Sequence, residues 1–148
     1  MKFSLFAILI SLIFALAIFF RFFDYFDRIY IHADHSLFAQ GAIYSASTFN
    51  IPLIGPFAQS TFFTGPWWLW ILGIFYLFPF GFLTPWYFIS LFSMGFVLLI
   101  YIVGREIGGK WLGVTAALLS AISVAQIDNS FTLWNAAADP FLALVAIY

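Results

Sequence analysis

The chain has 148 residues, 65% of them hydrophobic and 7% charged, against about 25% charged in soluble domains. So much apolar surface in so short a chain excludes an ordinary soluble core, and a net charge of −1 excludes the strongly basic surface of a nucleic-acid binder. With no cysteine present, disulfides and cysteine-ligated metals are excluded too.

Lys2 precedes an apolar run from Phe3 to Phe20. The run approaches the roughly 20 residues that a bilayer core demands and exceeds the roughly 7–15 of a cleavable signal core. Arg21-Phe22-Phe23-Asp24 follows it in place of a small-residue cleavage site, so an uncleaved membrane span is predicted over 3–20. A polar-aromatic stretch then extends from Arg21 to Thr64 and holds Asp24, Asp27, Arg28, His32, Asp34 and His35. Within it, 34–48 reads as a juxtamembrane helix that Asp34 can cap, mildly amphipathic as suits a membrane surface. Asn50-Ile51-Pro52 ends it. Gly55-Pro56 and Thr64-Gly65-Pro66 mark turns. Residues 66–80 are apolar but short of a span. They carry Trp67, Trp68, Trp70 and Tyr76, residue types that favour the headgroup level, so a second juxtamembrane helix is predicted there.

Pro79, Gly81 and Pro85 interrupt the chain before two further predicted spans, 86–103 and 111–127, joined by the polar loop Gly104 to Lys110. Asp128 to Asp139 is a second polar loop. Pro140 opens a last helix, 140–148, of about two and a half turns. That is too short to span, so the sequence reads as the N-terminal part of a longer protein. The expected fold is all-α: a polytopic membrane helical bundle with juxtamembrane helices in its first external loop.

Topology decides which polar loops share a compartment. If 66–80 does not cross, Lys2, Arg105 and Lys110 lie on one side and Arg21 and Arg28 on the other, which makes the N-terminal side cytoplasmic. If it crosses, Lys2 stands alone against the other cations and the orientation inverts. Charge counting by itself favours the second arrangement. The shortness of 66–80, its flanking prolines and its tryptophans favour the first, which is adopted here. Asp34 and Asp139 then face the same, non-cytoplasmic side.

Of the polar residues, Asp34 is the best candidate for chemistry. A carboxylate at a membrane surface serves as general base when a substrate hydroxyl comes within hydrogen-bond reach; the plainer alternative is that it only caps its helix. Asp24 and Asp27 read as partners of Arg21 and Arg28. His32 and His35 flank Asp34, and together they offer donor types that zinc accepts, although a chance His pair in a polar loop is the simpler reading. Asn135 suits hydrogen bonding to a sugar or carboxylate, or is a solvated loop amide. Asp139, directly before Pro140, is either a helix cap or a second polar ligand. Trp67 and Trp68, set among glycine-proline turns, make an aromatic face of the kind that lines sugar or lipid sites, or else punctuate an interfacial helix. Arg105, Glu106 and Lys110 read as anchors of the cytoplasmic loop.

Four segments carry a resemblance. They are Asp34-His35-Ser36-Leu37-Phe38-Ala39-Gln40 after the first span and its Arg21; Ile54-Gly55-Pro56 with Phe63-Thr64-Gly65-Pro66-Trp67-Trp68; Gly104-Arg105-Glu106-Ile107-Gly108-Gly109-Lys110-Trp111-Leu112-Gly113; and Ser130-Phe131-Thr132-Leu133-Trp134-Asn135 with Asp139-Pro140-Phe141. In this order they resemble the N-terminal third of the GT-C superfold glycosyltransferases that use polyprenyl-phosphate sugars, the protein mannosyltransferase and aminoarabinose-transferase type. The sequence departs from the family in having His35 where an acid or amide is usual, and Ala136-Ala137-Ala138 in place of a Trp-Asn-Pro pattern.

The resemblance implies an inverting transfer of a sugar from a polyprenyl-phosphate donor to an acceptor hydroxyl. Asp34 matches the family's catalytic aspartate, and Asn135 or Asp139 its polar position in the second loop. His35 lies next to the base, and Arg21 and Arg28 are the external cations offered to the departing phosphate. It implies no cofactor, a lipid-linked donor and the bilayer as partners, and an active site on the outer face of a bacterial or archaeal plasma membrane. This stretch alone is expected to be inactive. Two other classes compete. A transporter or flippase would carry ionisable groups and broken helices near the midplane, and a membrane scaffold would carry no chemistry.

Overall fold

The computed structural model describes residues 5–58 and 62–148. Lys2 and the first residues of the predicted anchor lie outside the described residues. The described chain is all-helical apart from one two-residue ladder. Its elements are α1 (Leu5–Phe22), α2 (Tyr25–Arg28), α3 (Ala33–Thr48), β1 (Phe57–Ala58), β2 (Phe62–Phe63), α4 (Trp67–Tyr76), α5 (Thr84–Ile122), α6 (Val124–Asn129) and α7 (Asn135–Ile147). Two of these helices, α1 and α5, are long and apolar enough to cross a membrane.

The 39 residues of α5 are folded back on themselves. Gly108 and Gly109 leave the helical conformation, and Gly109 takes φ 79°, a left-handed value that only glycine adopts without strain. Residues 84–107 form a first limb and 110–122 a second, antiparallel to it. Gly104 and Gly113 face each other near the bend. A Cβ on Gly113 would stand 2.6 Å from the Tyr101 carbonyl oxygen, so the limbs approach closely because both residues lack a side chain. Pro85, at the start of the first limb, sits where a missing N–H costs nothing.

The hairpin gives the molecule two ends. At the bend, or tip, the Phe6 ring meets Trp111 at 5.0 Å and Lys110 at 5.4 Å, so α1 begins there. Ile13 and Ala17 then pack on Val97, Val114, Ala117 and Ala121, and α1 finishes at the opposite end, where 123–135 and the first loop lie. Helix α7 starts at that loop end and returns along the hairpin. Its Phe141 stacks on Phe92, and Tyr148 donates to Glu106 at 2.8 Å beside the tip.

Helix α4 makes no such journey. Its first turn reaches Leu133 through the Trp68 indole N–H (2.9 Å). Its last turn still lies beside the start of α5, with Phe75 stacked on Phe88 at 4.2 Å and edge-on to Phe92. From Phe92 to the bend is a further run of about 24 Å. Both ends of α4 therefore stay at the loop end. Helix α3 packs along it, with Ala42 and Ser45 beside Gly73.

Four local expectations change. His32, not Asp34, holds the N-cap position of α3; Asp34 lies inside the first turn. The predicted span 111–127 stops at Ile122, because Ser123 is extended (ψ 115°), and α6 follows separately. The last helix begins at Asn135 rather than Pro140, which lies inside it, so Asp139 caps nothing. Between the two glycine-proline turns, Phe57 pairs with Phe63 across an antiparallel ladder, closed by Gly55 N–H donating to the Thr64 carbonyl (2.9 Å). A Cβ on Gly55 would run into Thr64.

Candidate functional site at the loop end

All five aspartates lie toward the loop end, at Asp24, Asp27, Asp34, Asp128 and Asp139, whereas Glu106, Arg105 and Lys110 sit at the tip. What gathers the loops into a site is a set of four ties to 130–135, made by α2, α3 and α4.

Tyr25 supplies the first. Asp24 takes φ 53°, a left-handed turn that Asp tolerates better than most residues, and this starts α2. Tyr25 is buried and stacks on Tyr87. Ser90 gives its single hydroxyl hydrogen to the Ser130 carbonyl (2.8 Å), so Tyr25 is the donor in its 2.9 Å contact with Ser90. Burial pushes the Tyr25 phenol up to about 12, which keeps it a donor at all working pH values. Arg28 supplies the second tie. Its Nη1 donates to the Phe20 carbonyl at 2.6 Å, and its guanidinium lies 4.2 Å over the Phe131 ring, a cation–π arrangement. Trp68 supplies the third through Leu133.

Helix α3 supplies the fourth. His35 is 1% exposed, its ring edge-on to Trp134 at 6.1 Å. Its Nδ1 lies 2.8 Å from the Tyr30 carbonyl oxygen, an acceptor, so the proton sits on Nδ1 and Nε2 keeps the lone pair. Burial lowers the His35 pKa, with the Tyr30 bond opposing. His35 is thus neutral at pH 7 and offers an acceptor, not a cation, to a ligand.

Asp34 is exposed and neighbours this buried histidine. In the first turn of α3 its charge is favourable to the helix dipole by about 0.3–1 kcal/mol, but it forms no part of the cap. Four residues on, Phe38 shares its face of the helix. Phe38, Thr64, Gly65, Trp67, Trp68 and Asn135 line a cleft of about 50 Å³, so α3, α4 and the start of α7 converge beside Asp34. Asp139 is exposed one turn beyond Asn135, on the same face of α7.

Arg21 is not part of this surface. It is fully buried. Nε donates to Ser93 Oγ (2.7 Å), Nη1 to the Ala121 (3.1 Å) and Ala17 (3.4 Å) carbonyls, and Nη2 to the Ser120 carbonyl (3.2 Å). Ser120 and Ala121 belong to the last turn of α5, whose carbonyls lack helical partners because the chain breaks at Ser123. Arg21 caps that helix and cannot serve as an external cation. Neither arginine pairs with Asp24 or Asp27 as expected; both turn inward to helix-end carbonyls. His32 and His35 lie with rings 5.4 Å apart, and among the described residues no three His, Asp or Glu side chains cluster closely enough to hold a metal ion.

Sequence reasoning named Asp34, His35, Asn135 and the pair Trp67–Trp68 as candidates and gave no separate role to Tyr25, Phe131 or Trp134, which pack the loops around them. The one available signal was arginine at the end of an apolar helix, where a cation suits the carbonyl-rich terminus. No family model matches the chain, and neither a curated protein nor a solved structure matches it.

Proposed function

We propose that the chain is a multi-pass membrane protein contributing to the active site of a glycosyltransferase that uses a polyprenyl-phosphate sugar. In this reading the tip is cytoplasmic, where Arg105 and Lys110 satisfy the positive-inside rule, and the loop end faces outward. Asp34 takes the proton of an acceptor hydroxyl as that oxygen attacks the anomeric carbon. The bond from that carbon to the phosphate oxygen breaks with its electron pair going to the phosphate, and configuration inverts. Arg28, the last residue of α2, is the cation nearest this surface.

The observation that carries the reading is the packing of His35, next to Asp34, edge-on to Trp134, with Phe38 and Asn135 lining one cleft. Two loops about 100 residues apart in sequence meet around a carboxylate that does no capping. A transporter reading draws on one observation, the buried Arg21 inside the helical bundle. Its four hydrogen bonds to fixed acceptors make it a static tie rather than a moving charge.

The test uses the full protein, as its gene encodes it, reconstituted in liposomes and supplied with labelled polyprenyl-phosphate sugars. Asp34→Asn keeps the shape and removes the base, and is expected to lower turnover by about 10²–10⁴-fold with insertion unchanged and melting lowered by at most about 4 °C. Turnover equal to the unmodified protein would remove Asp34 from the mechanism.

A further inference from the structure

The cleft beside Asp34 has a chemistry of its own. Its aromatic wall is Trp67, 36% exposed and edge-on to the buried Trp68 at 5.4 Å. Trp68 is fixed by its bond to Leu133, so the wall and the residue two places before Asn135 move together. Across from it stand the exposed Asn135 amide, a donor and an acceptor, and Thr64. The Thr64 hydroxyl gives its hydrogen to the Pro56 carbonyl (3.1 Å), which leaves it an acceptor toward the cleft. Gly65 keeps the approach open, since a Cβ there would press on the Trp67 ring at 3.3 Å.

We infer that this cleft binds the hydroxyl-bearing edge of a pyranose, with Trp67 against the sugar's C–H face and Asn135 and Thr64 on its hydroxyls. The volume, about 50 Å³, holds roughly three or four waters. That suits a pair of ring hydroxyls and excludes a lipid tail. A face of C–H groups with hydroxyls at its rim matches an indole beside an amide, and a phosphate does not, because no cation lines the cleft. Phe38 places it about one helical turn, some 6 Å, from Asp34, the separation of one sugar ring from a neighbouring reacting hydroxyl. The inference deepens the transferase reading by naming the sugar-recognising residues.

The test reads binding rather than turnover. The protein in lipid nanodiscs is titrated with methyl mannoside, methyl glucoside and methyl arabinopyranoside, followed by saturation-transfer NMR. Signal is expected on the ring C–H protons of at least one glycoside. It should fall by about threefold or more in Asn135→Ala, where a hydrogen bond is lost, and further in Trp67→Ala. Trp67→Phe should retain part of it. Loss of signal on loading with the polyprenyl-phosphate sugar assigns the cleft to the donor sugar; persistence assigns it to the acceptor. No signal from any glycoside, or equal signal in Trp67→Ala and Asn135→Ala, overturns the inference. Because the signal reads binding of free glycosides and needs no turnover, failure of the transferase reading and failure of this one are separately visible.

Discussion

Replacing Arg21 by methionine keeps most of the side-chain volume and removes the charge. In the folded protein Arg21 joins three helix segments, with one bond to Ser93 in the first limb of α5 and two to the Ser120 and Ala121 carbonyls that end the second. Ser93 would retain its bond to the Gln126 carbonyl (3.3 Å). The two carbonyls are backbone and cannot be removed, so the substitution strands them. Interhelical hydrogen bonds in membranes average only about 0.6 kcal/mol, which sets a floor near 2 kcal/mol for three of them. Removing one partner of a buried charged network costs about 3–5 kcal/mol, which sets the ceiling. Relief of the buried charge acts in the opposite direction and is already contained in that figure. A loss of about 2–5 kcal/mol corresponds to a melting-temperature drop of roughly 5–15 °C for a chain of this size. Thermal unfolding in nanodiscs, followed by size exclusion, measures it. Arg28→Met is the control, losing one carbonyl bond and one ring contact at a half-buried site, and should fall by less than half as much. An Arg21→Met protein as stable as the original would refute the capping argument and return Arg21 to the set of functional charges.

Gly113→Val should open the hairpin, since its Cβ would press on the Tyr101 carbonyl and the Arg105 side chain; a loss of about 1–3 kcal/mol is expected, and an unchanged melting point would mean the limbs are not in contact there. His35 makes stability depend on pH. Its folded pKa lies below the ordinary 6.5, so the unfolded chain binds the proton first on acidification. Stability is therefore full above about 6.5, declines as pH falls below it toward the folded value, and loses that dependence in His35→Asn; melting curves between pH 5 and 8 check the sign. Because the chain has no cysteine, Ala33→Cys and Ala136→Cys, both exposed positions, should react with an impermeant maleimide from one side of sealed vesicles, and Lys110→Cys from the other. Labelling of Ala33→Cys and Ala136→Cys from opposite sides would break the proposed topology.

The long helices were legible because their signal is compositional. A run such as Phe3 to Phe20 has no other way to be satisfied, and the glycines at 108 and 109 mark the bend directly. Residues 66–80 read as a short apolar helix bounded by prolines, and α4 (Trp67–Tyr76) is such a helix, held beside the start of α5 by Phe75 on Phe88. The failures share one cause. Capping by Asp34 and Asp139 was inferred from residue type at a helix start, but the starts are set by tertiary contacts. Burial of His35 against Trp134 fixes the first turn of α3, and the docking of Leu133 under Trp68 starts α7 at Asn135, ahead of the proline that reads as its beginning. The arginines were paired with nearby aspartates because sequence shows neighbours. Carbonyls freed by the break at Ser123, about 100 residues away, are invisible until the hairpin closes.

These corrections bear on the chemistry more than their size suggests. Capping was the plain explanation for both Asp34 and Asp139, and neither residue caps. Pairing was the plain explanation for Asp24 and Asp27, and their arginines are engaged elsewhere. The loop end therefore carries five aspartates with at most one half-buried cation, Arg28, among the described residues, next to a histidine that burial keeps neutral. Such an excess repels a free phosphate rather than attracting it. In the proposed reading, a departing lipid phosphate would meet its counter-charge on surfaces other than α2 and α3. Substitution of Arg28 by glutamine should accordingly change the KM for a lipid-phosphate donor by less than about threefold. The one hydrogen bond it breaks is to Phe20, and its removal is worth about 0.5–1.5 kcal/mol to the fold rather than to the ligand. A KM for the donor raised a hundredfold, with melting unchanged, would instead place the phosphate against α2.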